Sequence, residues 1–413
     1  PVPYTLVNKK VNICITTYES NKPLNKPNKS KIINQALKFH SQGNISEAKK
    51  CYQYFINQGF QDHRIFSNYG AILKDLGNLQ EAELFLRKAI EIDPLFSNAH
   101  YNLGNLLRDL NKITEAESSL RKAIELDPLF VNAYYNLGNI LEDLGNLQEA
   151  ELFQRKAIEI DPFFAKAHSN LGNILRGLGK LKEAEFFHRK AIEIDPLFAL
   201  AHANLGTTLS DLGKLKAAEL SLQKAIEIDP LFADAYFNLS LIELIKGNYQ
   251  LGLENYEFRF KKKVPAKLHG KAKIKRISNT KFENSEKLLI VGEQGIGDTL
   301  QYMRYIPYLR NQGFDISFCT LKKLHTLIQA SNIDPTPLTP KEINQISEGK
   351  WIPLLSLPRY LHINPKNPII TERYIYSTEE LNKKWKKILS TEKRPIVGIN
   401  WQGNPEMEKS SYQ

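Results

Sequence analysis

Between residues 30 and 263, small and apolar residues return in columns spaced 34 residues apart. Ala48, Ala82, Ala116, Ala150, Ala184, Ala218 and Gly252 form one small column, and Ala89, Ala123, Ala157, Ala191 and Ala225 form a second. Small residues at such positions let two helices cross closely. Gly43, Gly77, Asn111, Gly145, Gly179, Gly213 and Gly247 keep the same interval, as a helix stop would require. Pro94, Pro128, Pro162, Pro196 and Pro230 end one unit and start the next, inside a word Asp-Pro-(Leu/Phe)-Phe that opens at Asp93, Asp127, Asp161, Asp195 and Asp229. A fixed period of this length predicts one pair of antiparallel helices per unit, stacked into a superhelix. About seven units fit residues 29–266, the first and last degenerate, as suits end units whose outer faces meet no further repeat.

Past this array the pattern changes. Residues 1–28 show no sustained period and read as a disordered tail. Lys287–Val291 is a short apolar run, followed by a glycine turn and a stretch with Leu300, Met303, Ile306 and Leu309 on one helical face. Phe314–Cys319 reads as a second strand, Leu321–Ala330 as a second helix, and Trp351–Leu355 and Pro395–Trp401 as further strands. Such alternation predicts a parallel α/β sheet.

Composition narrows the class. At 413 residues with 42% hydrophobic content, the chain is long enough for two packed domains. Cys14, Cys51 and Cys319 are too few and too scattered for a disulfide framework or a zinc site, which fits a cytoplasmic setting. No apolar run is long enough for a membrane span. Much of the net charge of +11 sits between Lys261 and Arg276. A stretch holding Pro265 and Gly270, with no interleaved aromatic platform, reads as part of a solvated linker over 267–286 rather than a nucleic-acid site.

One polar column stands out. Asn68, Asn102, Asn136, Asn170, Asn204 and Asn238 recur in the first helix of each unit, with Asn105, Asn139 and Asn173 three residues on and Asp75, Asp109, Asp143 and Asp211 seven on. This spacing puts them on one helix face, opposite Leu103 and Leu107. In a superhelix that face lines the concave groove, where an amide can meet either a donor or an acceptor of an extended polypeptide. The alternative is a merely solubilising column, which Glu or Lys would serve better. An Asp column near a helix C-terminus opposes the helix dipole and gains nothing locally. His100, His168 and His202 share a column with Phe66, Tyr134 and Tyr236, so the position selects a flat amphipathic ring rather than a metal ligand.

The units resemble tetratricopeptide repeats at nearly every diagnostic position. Beyond them, Glu293–Leu309 resembles the first strand–loop–helix of heptosyltransferase-like glycosyltransferases. Together with Tyr256–Phe260, Trp351–Pro358 and Val397–Asn404, it is similar to bacterial proteins that join such repeats to a transferase domain, and to O-linked N-acetylglucosamine transferases. The resemblance implies an α-α superhelix followed by an α/β Rossmann-like domain of the two-lobed (GT-B) type, with the first lobe at 287–393 and the start of a second at 394–413. It also implies Asp298 as general base, a substrate-binding loop of Gly292, Gln294, Gly295, Gly297 and Thr299, a nucleotide sugar as donor, and no metal or other cofactor. Asp298 has a second reading as a helix cap, with Gln301 completing a capping box. The donor lobe is expected to be incomplete in this chain, leaving it inactive alone. Two functions follow as expectations: a transferase whose repeats select a polypeptide, or a non-catalytic interaction scaffold.

Overall fold

A computed structural model describes residues 28–277, 287–293, 295–369, 374–388 and 390. The expected tail before Asn28 and the strand expected at 395–401 lie outside the described residues, as does Gln294.

Contacts divide the chain into two units, residues 1–231 and 232–413. The first holds six helix pairs: α1 (Lys29–Ser41) with α2 (Ile45–Asn57), α3 (His63–Asp75) with α4 (Leu79–Ile92), α5 (Ser97–Asp109) with α6 (Ile113–Leu126), α7 (Val131–Asp143) with α8 (Leu147–Ile160), α9 (Ala165–Gly177) with α10 (Leu181–Ile194), and α11 (Ala199–Asp211) with α12 (Leu215–Ile228). Each pair turns at the expected residue. Gly77 and its column mates have positive φ, and Asn111, at φ 59°, takes the same left-handed conformation, which asparagine tolerates better than most residues. Asn78 N then donates to Leu73 O at 2.9 Å, closing the helix end. The Asp of each Asp-Pro word caps the second helix and its side chain accepts from the amide two residues on, Leu95 N donating to Asp93 Oδ1 at 3.1 Å. That turn leaves Leu95, Leu129, Phe163 and Leu197 exposed along one edge.

Within each pair from α3/α4 to α11/α12 a further glycine is required by contact. A Cβ on Gly104 would lie 2.8 Å from Leu120 Cγ, and Gly70 and Gly206 meet Leu86 and Leu222 in the same way. Consecutive first helices (α3, α5, α7, α9, α11) also touch one another, while second helices pack chiefly onto first helices. The first helices therefore follow the shorter, concave arc of the superhelix.

The second unit begins with α13 (Ala233–Ile245) and α14 (Tyr249–Tyr256), the last helix pair of the array expected over 29–266. Among the described residues four parallel strands follow: β1 (Lys275–Arg276), β2 (Lys287–Val291), β3 (Asp315–Cys319) and β4 (Lys350–Pro353), in the order β1-β4-β2-β3. β2 is central and buried after Lys287, as a near-continuous apolar run predicts. Leu288 and Ile290 pack with Met303, Ile306 and Leu309, while Leu289 and Val291 face Ile343 and Cys319. The expected single helix after β2 is two, α15 (Ile296–Tyr302) and α16 (Tyr305–Asn311), because Pro307 has no amide to offer Met303 O. A short α17 (His325–Ala330) follows β3, and α18 (Leu357–Tyr360) and α19 (Glu379–Ile388) follow β4. The basic stretch expected as linker supplies an edge strand: Arg276 lies over the rings of Phe260 and Trp351 and donates to Glu257 at 2.9 Å. The described α/β part is thus one small parallel sheet. Among the described residues, no helix is long and apolar enough to cross a membrane.

Candidate functional site

The asparagine column lies half-buried on the concave first helices, and its amides are already engaged. Each Nδ2 in the first unit donates to the preceding repeat: Asn68 to Tyr52 OH (3.4 Å), Asn102 to Ser67 Oγ (3.0 Å), Asn136 to Asn105 Oδ1 (2.7 Å), Asn170 to Asn139 Oδ1 (2.7 Å) and Asn204 to Ser169 Oγ (3.1 Å). Asn238 is half-buried on α13 of the second unit. The column is therefore neither purely solubilising nor wholly free for a ligand, since it ties neighbouring helices together. It leaves the Oδ1 acceptors of Asn102, Asn136, Asn170 and Asn204 without a protein donor among the described residues. The Asp column also gains a partner that sequence reasoning did not supply. Lys74 Nζ lies 3.3 Å from Asp109 and Arg176 Nη1 lies 3.2 Å from Asp211, each bridging consecutive repeats. His100, His168 and His202 place Nε2 at 2.9–3.1 Å from the carbonyls of Pro94, Pro162 and Pro196.

The middle of the groove departs from the repeat. Where Leu86, Leu120 and Leu222 pack against a glycine, two consecutive units carry Gln154 and His188, both fully buried. Gln154 Nε2 donates to Tyr135 O at 3.1 Å and to Asn139 Oδ1 at 2.8 Å, leaving its own Oε1 unpaired. His188 lies flat on Gly172 with neither ring nitrogen bonded. Burial, with Arg176 adding to it, pushes its imidazole down to about 3. Glu142, half-buried, stands where Lys74 and Arg176 stand in their repeats. Burial first and Asp143 second push its carboxyl up to about 7, against the pull of Arg176. Both buried polar residues are visible in the sequence as breaks in a leucine column of the second helix, away from the asparagine column of the first.

In the second unit, the loop after β2 is anchored rather than loose. Glu293, fully buried, accepts Arg259 Nε and Nη2 at 2.9 Å each and Leu355 N at 3.0 Å. Arg259 also donates to Glu257 (2.8 Å) and Ser356 (2.9 Å) and lies over the rings of Tyr256 and Phe260. Burial alone would raise Glu257, but Arg259 and the Ser356 hydroxyl hold its carboxyl below the usual carboxylate range.

Of the loop glycines, Gly292 alone is required by contact, since a Cβ there would lie 2.5 Å from His269 Nδ1. Gly295 and Gly297 are exposed, and no atom would crowd a Cβ at either. The cap differs from the expected one. Gly295 is the N-cap and Asp298 the third helical residue, its Oδ2 accepting Gly295 N at 3.4 Å, so the helix starts before Asp298 and Gln301 completes no box. Thr299 is buried and donates its hydroxyl to Gly295 O at 3.1 Å.

Sequence models of the tetratricopeptide repeat match residues 63–94, 101–165, 165–198, 199–230 and 221–254. No curated protein matches the chain. Among solved structures, the chain is similar to the MamA protein at 26% identity, covering 41% of this chain and 92% of that one with a TM-score of 0.37. It is similar to YrrB, described as a TPR protein with an unusual peptide-binding site, at 25% identity, covering 50% and 97% with a TM-score of 0.38. A tetratricopeptide repeat protein from Parabacteroides merdae is 18% identical, covering 55% and 91% with a TM-score of 0.46.

Proposed function

We propose that this chain, a tetratricopeptide-repeat protein over residues 63–254, is an interaction scaffold whose concave face receives an extended polypeptide. The observation that carries this reading is the row of unpaired asparagine acceptors on α5, α7, α9 and α11, one per repeat. A main chain offers amide donors at regular intervals whatever its side chains, so a row of fixed acceptors matches a peptide better than a compact small molecule. The test replaces Asn102, Asn136 and Asn170 together with Ala and measures a peptide selected on the wild-type protein from a phage-displayed random library. Three lost hydrogen bonds predict binding weaker by at least about tenfold. Because these amides also tie helices, circular-dichroism melts must show the variant folded. A folded variant with undiminished affinity would sink the reading.

A second reading gives the α/β unit a nucleotide sugar and makes Asp298 the base. One observation favours it. The loop from Gly292 to Thr299 leaves the carboxyl end of β2, whose neighbours are β3 and β4, and open parallel sheets take ligands at such a reversal of strand order. Transfer of radiolabelled sugar from nucleoside-diphosphate sugars, abolished by Asp298→Asn, would support it. Transfer that survives the substitution removes Asp298 from the chemistry.

A further inference from the structure

We infer that Asn139 is a fixed hydrogen-bond donor in the concave face that takes a main-chain carbonyl oxygen of the bound peptide, and that Gln154 beneath it is the positioning residue. The inference rests on the peptide-binding reading and adds a register to it.

The orientation of these amides follows from one backbone atom. Tyr135 O can only accept, so the Gln154 group 3.1 Å away must be its NH2. That same nitrogen reaches Asn139 at 2.8 Å, so the Asn139 atom facing it must be the carbonyl oxygen. Asn170 approaches that oxygen from the next repeat at 2.7 Å and must in turn present its own NH2. The chain Tyr135 O, Gln154, Asn139, Asn170 therefore admits one assignment of nitrogen and oxygen at every amide. Its consequence is that Asn139 Nδ2 is left to donate with no protein acceptor among the described residues, on a half-buried side chain of the concave helix α7.

Elsewhere the column is not set in this way. Asn105 accepts from Asn136, whose other contact is the hydroxyl of Tyr101, a group able to donate or accept, so nothing there fixes the sense. The leucines at 86, 120 and 222 offer no polar group from beneath. Asn139 is thus a donor held beside the free acceptor of Asn170. An extended peptide matches that pair by placing a carbonyl on Asn139 and an amide on Asn170. A donor held before binding loses little rotamer freedom when the peptide arrives.

The test uses the full chain and the tightest peptide from a phage-displayed library of random dodecapeptides, N-acetylated so that its amino terminus is uncharged. Binding is followed by fluorescence polarisation. Asn139→Asp keeps the shape and still accepts from Gln154 and Asn170, but it turns an oxygen toward the peptide carbonyl. It should weaken binding by about tenfold or more, since a lost bond is joined by repulsion. Gln154→Leu restores the residue of the other repeats and should cost about 3- to 10-fold, yet cost nothing further in an Asn139→Ala background. Unchanged affinity of Asn139→Asp overturns the donor assignment. An equal cost of Gln154→Leu with and without Asn139 overturns the positioning role. If no library peptide binds the wild-type protein, the peptide reading fails and takes this inference with it. If peptides bind but these variants do not matter, the inference alone fails.

Discussion

At the scale of single residues, His188 and Glu142 set opposed responses to pH. His188 is held neutral in the folded state down to about 3, while the unfolded chain takes up a proton below about 6.5. Its contribution is intact at neutral pH and falls as pH drops through that window, by about 2 kcal/mol at pH 5. Glu142 runs the other way. Its folded carboxyl stays protonated up to about 7 while the unfolded one has ionised, so its contribution is full at acid pH and declines as pH rises. Urea denaturation between pH 5 and 7 should therefore show stability climbing with pH in Glu142→Gln, descending in His188→Leu, and flatter than either in the wild-type chain. Parallel profiles for all three would contradict the assignment. The two residues were legible as exceptions, His188 in a leucine column and Glu142 in a basic one. Their consequences were not, because burial and the absence of a partner are set by neighbours in space.

At the scale of elements, the 34-residue columns located both helices of every unit and the turn between them, since each depends on residues a few positions away. The short strands and their order depended on contacts far apart in sequence, and the partner of Tyr256–Phe260 could not be read at all. That segment owes its place to Arg259, 1% exposed and bonded to the fully buried Glu293. Removing one member of such a pair strands the other charge in the interior, so Arg259→Ala should destabilise the α/β unit by about 3–5 kcal/mol. Urea unfolding followed by the fluorescence of Trp351 would measure it, and a loss within error of zero would show that Glu293 finds water or another cation. The loop that carries Asp298 starts from this anchor, so the same substitution should loosen Gly292–Thr299 before the rest of the sheet.

For the repeat unit as a whole, the inner and outer arcs are tied by different chemistry. Short asparagine amides join successive first helices, with the Lys74–Asp109 and Arg176–Asp211 ion pairs beside them, whereas long charged side chains span the second helices: Arg87 to Glu115 at 3.1 Å, Arg121 to Glu149 at 2.6 Å and Lys214 to Glu185 at 2.6 Å. Exposed ion pairs weaken as salt screens them, and amide hydrogen bonds hardly respond. The repeat unit is therefore expected to respond to salt as a bimetallic strip does to heat: the outer side, with more ion pairs between repeats, yields to the ionic medium more than the inner one. Salt becomes a dial on the radius of the groove, and the spacing of the asparagines that a ligand would read stays constant while the surface carrying them opens or tightens.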